Sequence, residues 1–168
     1  DGSGQIPSPI ISVTVFGEKH ESKQVDESAT AAFHHSFSVT KHMKKNQFLQ
    51  HDVEIEVNHY QGFGLRMLLG RIVFSLRKVY SQPRHLVPLS WFPVVKPDSP
   101  MLTLGFVQMS IAAFSSADEV PSTFGIQAAQ NDESTSITGR AITLPCAGRV
   151  ASFYQLTVRV HKAEHLRE

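Results

Sequence analysis

The chain has 168 residues, of which 41% are hydrophobic and 18% are charged, and its formal net charge at pH 7 is +1. This size and hydrophobic fraction suit one domain with a single core. The near balance of charge argues against a dedicated nucleic-acid-binding protein, which usually has a strong basic excess. The lone cysteine, Cys146, excludes an internal disulfide and favours a reducing compartment.

Apolar residues recur at every second position through much of the chain, which predicts β-strands with one buried face. The pattern is clearest where Val53, Ile55 and Val57 alternate with acidic residues. Residues 67–79 are the best candidate for a helix, but their alternation and β-branched side chains favour a strand. The positions predicted to be buried are, in chain order, Val13, Val15, Phe33, Phe37, Val53, Ile55, Val57, Ile72, Phe74, Leu76, Trp91, Val107, Met109 and Ile111.

Composition divides the chain into three parts. Residues 1–114 carry the strand pattern, punctuated by Gly, Pro and Ser, which predicts an antiparallel β-sandwich. Residues 115–150 are rich in small and polar side chains, which predicts a flexible linker. Residues 151–168 return to alternating apolar residues and predict one more strand.

Nine histidines raise the question of catalysis or metal binding. His34 and His35 are adjacent on a predicted strand, so their side chains point to opposite faces and cannot hold one ion together. The chain has neither a nucleophile elbow of the G-x-S-x-G type nor a phosphate loop, and Cys146 has no base near it in sequence. We therefore expect a non-enzymatic protein without a metal or organic cofactor.

Several segments resemble C2 domains. HDVEIEVN at 51–58 and LLGRI at 68–72 resemble the strands on either side of a C2 calcium loop, and TAAFHHSF at 30–37 lies where C2 domains carry Asn-Pro-Val-Trp-Asn-Glu-x-Phe. VYSQPRH at 79–85, with Trp91 shortly after, is similar to a signature of the second C2 domain of ferlins, Val-Tyr-x-Gln-Pro-x-His before a Trp. Residues 153–166 resemble the first strand of the following ferlin C2 domain.

The resemblance implies an all-β fold, an antiparallel eight-stranded β-sandwich of C2 type. A complete C2 domain would place a strand before Asp1, so the first strand is expected to be missing or to be supplied by the C-terminal segment. The resemblance also implies a non-catalytic role in vesicle trafficking, membrane fusion and exocytosis. The expected location is the cytoplasmic side of membranes or vesicles, as part of a larger membrane-anchored protein.

The expected calcium positions are degenerate. Calcium-binding C2 domains bring several aspartates together, because Ca²⁺ takes about six to eight oxygen ligands. This chain has Ser8, Asn58, Tyr60 and Arg66 at the corresponding positions, and Asp1 would add only one carboxylate. We therefore expect no calcium binding.

Basic and apolar side chains suggest calcium-independent contact with anionic phospholipid, phosphoinositides included. A cation near an anionic leaflet contributes about 1 kcal/mol, and apolar residues beside a cation suit shallow insertion into the interface. The predicted lipid-binding residues are Lys19, Lys23, Lys41, Lys44, Lys45, Phe63, Leu65 and Arg66.

A second interpretation stays open at this point. Phe63 and Leu65 then cover the end of the core, and the lysines are solvated. The sandwich would pack against other domains of its parent protein as a protein-interaction or scaffolding module, with β-strand addition as one means of contact. Neither interpretation has nucleic acid as a partner.

Overall fold

The computed structural model describes residues 6–118 and 151–166. The described residues form eight strands, two short helices and one 3-10 turn. In chain order these are β1 Pro9–Val15, β2 Glu18–Glu21, β3 Ala31–Met43, α1 Lys45–Phe48, β4 Asp52–Gly62, β5 Leu65–Ser75, α2 Leu76–Tyr80, the turn Pro83–His85, β6 Leu86–Lys96, β7 Ser99–Ser115 and β8 Ser152–Glu164. Asp1, Cys146 and the predicted linker beyond residue 118 lie outside the described residues.

The strands are joined in the order β2-β1-β4-β5-β6-β7-β8-β3, and each pairing is antiparallel. β5 and β6 meet at a single register pair, Arg71 opposite Val95. The sheet therefore folds at this point into two halves, β2-β1-β4-β5 and β6-β7-β8-β3. Gly70 permits this crossing, because a Cβ there would lie 2.7 Å from the carbonyl oxygen of Val95.

One hydrophobic core lies between the two halves. The inward side chains of β1, β4 and β5 pack with those of β7, β8 and β3 in a single cluster. The cluster confirms the predicted all-β, antiparallel sandwich, which is compatible with a C2-like fold. Its most deeply buried members include Ile11, Val13, Val53, Ile55, Val57, Met109, Ile111, Leu156 and Val158.

Two predictions about individual elements are wrong. Trp91 was expected inside the core but is 42% exposed. An irregularity between Val87 and Ser90 adds one residue to β6, and one extra residue exchanges the inner and outer faces of a strand. The predicted strand at 67–79 ends at Ser75, and Leu76 is buried from the helix α2 instead. Phe33 and Phe74 are only partly buried.

The C-terminal strand belongs to the sandwich. β8 lies between β7 and β3 and pairs with both along most of its length. Of the two expectations for the first strand, the structure agrees with the one in which the C-terminal segment supplies a strand. That strand occupies an inner position of the sheet and not an edge. Whether residues 151–168 also begin a further domain of a longer chain stays a prediction.

Candidate functional site

The hairpin between β4 and β5 presents a fully exposed aromatic side chain. Gly62, Phe63 and Gly64 all have positive φ, at 89°, 49° and 79°. Glycine adopts this conformation freely, whereas a bulky residue such as phenylalanine does so at a cost in free energy. Phe63 is nonetheless 104% exposed, and Leu65 beside it is 63% exposed. The hypothesis that these two residues cover the core is therefore wrong.

A second apolar tip lies next to the first. β5 and β6 are neighbouring antiparallel strands, so the start of β5 and the turn from β6 to β7 lie at the same end of the sandwich. The pairing jumps from Val95–Thr103 to Lys96–Ser99, and the looped-out residues include Met101 and Leu102. Met101 is 99% exposed and Leu102 is also exposed. We call the end that carries Phe63, Leu65, Met101 and Leu102 the tip end.

Sequence analysis did not find Met101 and Leu102. The available signal was the turn-forming stretch PDSP at 97–100, directly before an apolar pair.

Charges at the tip end are mixed. Arg66 forms an ion pair with Glu21, and the hydrogen bond from its guanidinium holds the pKa of the Glu21 carboxyl below its usual value despite partial burial. Lys23, in the loop after β2, and Lys96, the last residue of β6, are exposed. Asp26 and Glu27 are in the loop that contains Lys23, and Asp98 is in the turn that follows Lys96. Attachment through this end would therefore depend more on apolar contact than on net charge.

The degenerate calcium positions are engaged in contacts within the protein. The Ser8 hydroxyl accepts a hydrogen bond from Glu27 N–H at 3.1 Å. The Asn58 amide donates to the Ser12 hydroxyl at 3.4 Å, and the Tyr60 hydroxyl accepts from Gly64 N–H at 3.3 Å. Arg66 adds a positive charge. Among the residues that the structure describes, no group of three or more His, Cys, Asp or Glu side chains is placed to hold a metal ion.

The absence of calcium binding stays a prediction, and thermal unfolding tests it. A ligand that binds only the folded state must raise the melting temperature. We expect millimolar calcium to leave the melting temperature unchanged relative to EGTA. A rise that a chelator reverses would contradict the prediction and show that the folded chain binds calcium.

Two of the predicted lipid-binding lysines are neutralised by neighbours. The Nζ of Lys19 lies 3.0 Å from Glu56 Oε2. Lys41 on β3 forms an ion pair with Glu18 on β2, and this contact joins the two edge strands of the sandwich. The positive charges of Lys19 and Lys41 are therefore partly offset by carboxylates on neighbouring strands.

Lys44 and Lys45 lie at the end of the sandwich opposite the tip end. They begin α1, which is next to α2: the Lys45 Nζ is 4.8 Å from the centre of the Tyr80 ring, and Leu76 N–H donates to His51 C=O at 3.0 Å. Three more exposed cations lie on α2 and the following turn. We call the end that carries Lys44, Lys45, Arg77, Lys78 and Arg84 the basic end.

The cations Arg77, Lys78 and Arg84 were also missed by sequence analysis. A strand over 67–79 would have placed Arg77 and Lys78 on opposite faces, whereas the helix α2 buries Leu76, Val79 and Tyr80 and leaves both cations outside. The carboxylates near this end include Glu18, which is paired with Lys41, and Asp118, which accepts hydrogen bonds from Tyr80 and Ser115. Asp52 is also near this end, exposed at the start of β4 and opposite Ser75. The described part of the chain contains no ion pair to any of the five cations.

The ferlin-like motif at 79–85 builds the support beneath the basic end. Tyr80 Oη donates to Asp118 Oδ2 at 2.8 Å, and Ser115 N–H donates to the same oxygen at 2.7 Å. The His85 ring stacks on Tyr80 at 3.9 Å and its Nε2 lies 3.7 Å from Asp118 Oδ1. The motif therefore ties α2 to the end of β7.

The Tyr80 contact predicts a pH dependence of stability. Burial, together with the hydrogen bond to Asp118, raises the pKa of Tyr80 to about 12. In the unfolded chain the hydroxyl ionises near pH 10. The stability from Tyr80 is therefore complete below about pH 10 and is lost as the pH rises from there toward 12.

Tyr80→Phe is the variant that tests this dependence. We expect it to lose about 1–2 kcal/mol of stability at neutral pH, because the hydrogen bond to a carboxylate is removed. Its stability should also fall less steeply between about pH 10 and 12 than that of the parent. Denaturant unfolding across this range measures both, and equal slopes would show that Tyr80 does not titrate as its contacts require.

Comparison with known proteins gives one informative match. No family model matches the chain. Ferlin 1 of Toxoplasma gondii is 29% identical over 121 residues, which is 69% of this chain and 8% of Ferlin 1. The similarity supports a relationship to ferlins. The chain thus spans less than a tenth of the length of this ferlin, and the match does not specify which ferlin C2 domain it resembles.

No helix in residues 6–118 or 151–166 is long and apolar enough to cross a membrane.

Proposed function

We propose that this chain is a non-catalytic C2-type module of a ferlin-like protein that binds phospholipid membranes without calcium. Attachment occurs through the tip end, whose apolar side chains enter the interface. In its parent the module takes part in vesicle trafficking, membrane fusion and exocytosis, at the cytoplasmic side of membranes. The observation that carries the proposal is the pair of neighbouring hairpins with Phe63 and Met101 fully exposed at one end.

Folding does not account for these side chains. Phe63 and Met101 bury almost no surface in the protein, so they add nothing to the core. Phe63 also occupies a left-handed backbone conformation that glycine would adopt at lower cost. An exposed aromatic residue in a strained conformation points to a role in binding and not in stability.

Because the tip end carries both positive and negative charges, electrostatic attraction contributes little to its attachment to a membrane. Arg66 is paired with Glu21, and Lys23 and Lys96 are close in sequence to the carboxylates of Asp26, Glu27 and Asp98. Insertion of apolar side chains into the headgroup region should therefore contribute most of the binding free energy. The contribution of anionic lipid to this attachment should be small at high salt, because screening shortens the range of the charges.

Co-flotation with vesicles in EGTA tests the proposal. We expect the chain to float with phosphatidylcholine vesicles that contain phosphatidylserine, equally in EGTA and in calcium. A fraction of this binding should persist at about 1 M salt, where the Debye length is about 3 Å. An absence of flotation under all these conditions would refute the proposal.

A scaffolding role is the second candidate, and one surface favours it. Trp91 and Phe106 lie on the outer face of β6 and β7, two register positions apart: Trp91 is opposite Gln108, and Phe106 is opposite Pro93. Both are about as exposed as Leu89 beside them on β6. Aromatic residues on an open sheet face are common anchors in protein interfaces. A chain that binds no vesicles but whose partner binding is lost in Trp91→Ala would favour this role.

A further inference from the structure

The tip end and the basic end are too far apart to meet the same membrane. β4 runs between them with 11 residues, and a strand rises about 3.3 Å per residue, so the separation is roughly 35 Å. The Debye length in about 0.15 M salt is about 8 Å. When the tips are inserted in one bilayer, the charges of that bilayer are therefore screened before they reach the basic end.

Three cations on the side faces between the two ends already form ion pairs with carboxylates of the protein, which weakens their attraction to a membrane. Lys19 is paired with Glu56 at 3.0 Å, and Arg71 is paired with Glu54 at 2.9 Å. Lys162 is paired with Glu164 at 2.5 Å. A domain lying on its side would present these ion pairs, whereas the described residues form no ion pair with the cations of the basic end.

From this distribution, and resting on the proposed function, we propose that the basic end binds the headgroups of a second, anionic bilayer. The domain then bridges two membranes, with the tips in one and the basic end on the other. The residues that make the second contact are Lys44, Lys45, Arg77, Lys78 and Arg84.

The form of the basic end fits a lipid surface better than an acidic protein. Its cations lie on three separate elements and are all exposed, so they can adapt to a fluid layer of headgroups. The apolar side chains of α1 and α2 face the core. These helices therefore expose no apolar side chain that could become a buried anchor in an interface with another protein. Each cation adds to the binding free energy at an anionic leaflet, and this attraction does not require a fixed arrangement of the headgroups.

Vesicle clustering tests the bridge. The parent chain is mixed in EGTA with phosphatidylcholine vesicles that contain phosphatidylserine, and clustering is followed by light scattering while binding is followed by co-flotation. The basic-end variant carries Arg77→Gln and Lys78→Gln. The control carries Arg71→Gln and Lys162→Gln, which remove the same charge from the side faces.

We expect the parent and the control to cluster vesicles and the basic-end variant to cluster them severalfold less. The basic-end variant should still float at high salt, because its tips are intact. Clustering by the basic-end variant equal to that of the parent would overturn the inference. So would a parent that floats at high salt and never clusters vesicles.

Two further experiments distinguish a lipid partner from an acidic protein partner and test the proposed function separately. If the parent retains polyglutamate and the basic-end variant does not, while neither clusters vesicles, the partner is an acidic protein segment and the inference is overturned. The proposed function is judged independently by Phe63→Ala with Met101→Ala at high salt, where the basic end is screened. If that variant floats like the parent, the proposed function fails, whatever the clustering shows.

Discussion

Replacing Phe63 and Met101 together by alanine is expected to lower vesicle binding at about 1 M salt by roughly tenfold or more. Burying one large apolar side chain completely is worth about 1.5–3 kcal/mol. Two side chains that enter only the interface contribute less each, but a combined loss of about 1.4 kcal/mol already corresponds to a tenfold change. High salt is chosen because it removes the contribution of the basic end.

The same double variant should be as stable as the parent, since Phe63 and Met101 are fully exposed. Surface substitutions of this kind change stability by about 0.5 kcal/mol or less. The matched control is Val73→Ala with Leu89→Ala, which removes two exposed apolar side chains from the outer faces of β5 and β6. The control should float like the parent; if it loses binding equally, the sheet faces and not the tips contact lipid.

Ile55→Ala is expected to destabilise the fold by about 2–5 kcal/mol. Ile55 is completely buried at the centre of β4, opposite Val13 on β1 and Ile72 on β5. The truncation leaves a cavity between the two halves of the sheet. For a chain of this length the melting temperature should fall by about 2–4 °C per kcal/mol.

Val73→Ala supplies the comparison for this core variant. Val73 is on the strand next to Ile55, opposite Glu54, but its side chain is 52% exposed. Its replacement should cost much less than that of Ile55. Equal losses in denaturant unfolding would mean that the alternation along β4 and β5 is reversed relative to the structure.

The longer strands could be predicted from the sequence because their alternation is local, whereas β2, with four residues and no apolar alternation, was not predicted. Val53, Ile55 and Val57 are inside as expected, and the acidic residues between them face outward. Trp91 could not be placed in this way, because one extra residue in β6 reverses its face. The helix α2 has only five residues, which is too short to show a helical period.

The candidate site was predictable only in part, for a related reason. Phe63 and Leu65 were found because they occupy a loop between two clear strands. The grouping of Lys44 with Arg77 depends on the packing of α1 against α2, and the pairing of Lys41 with Glu18 depends on the meeting of two edge strands. Such contacts join distant parts of the chain, and no local pattern contains them.

Fluorescence from the tip itself tests the central claim most directly. In Phe63→Trp with Trp91→Phe, the single tryptophan reports on residue 63 alone, because the chain has one tryptophan. Addition of vesicles in EGTA should shift its emission to shorter wavelength, and lipids brominated near the headgroup should quench it. Unchanged emission from a protein that floats with the vesicles would contradict insertion of the tips.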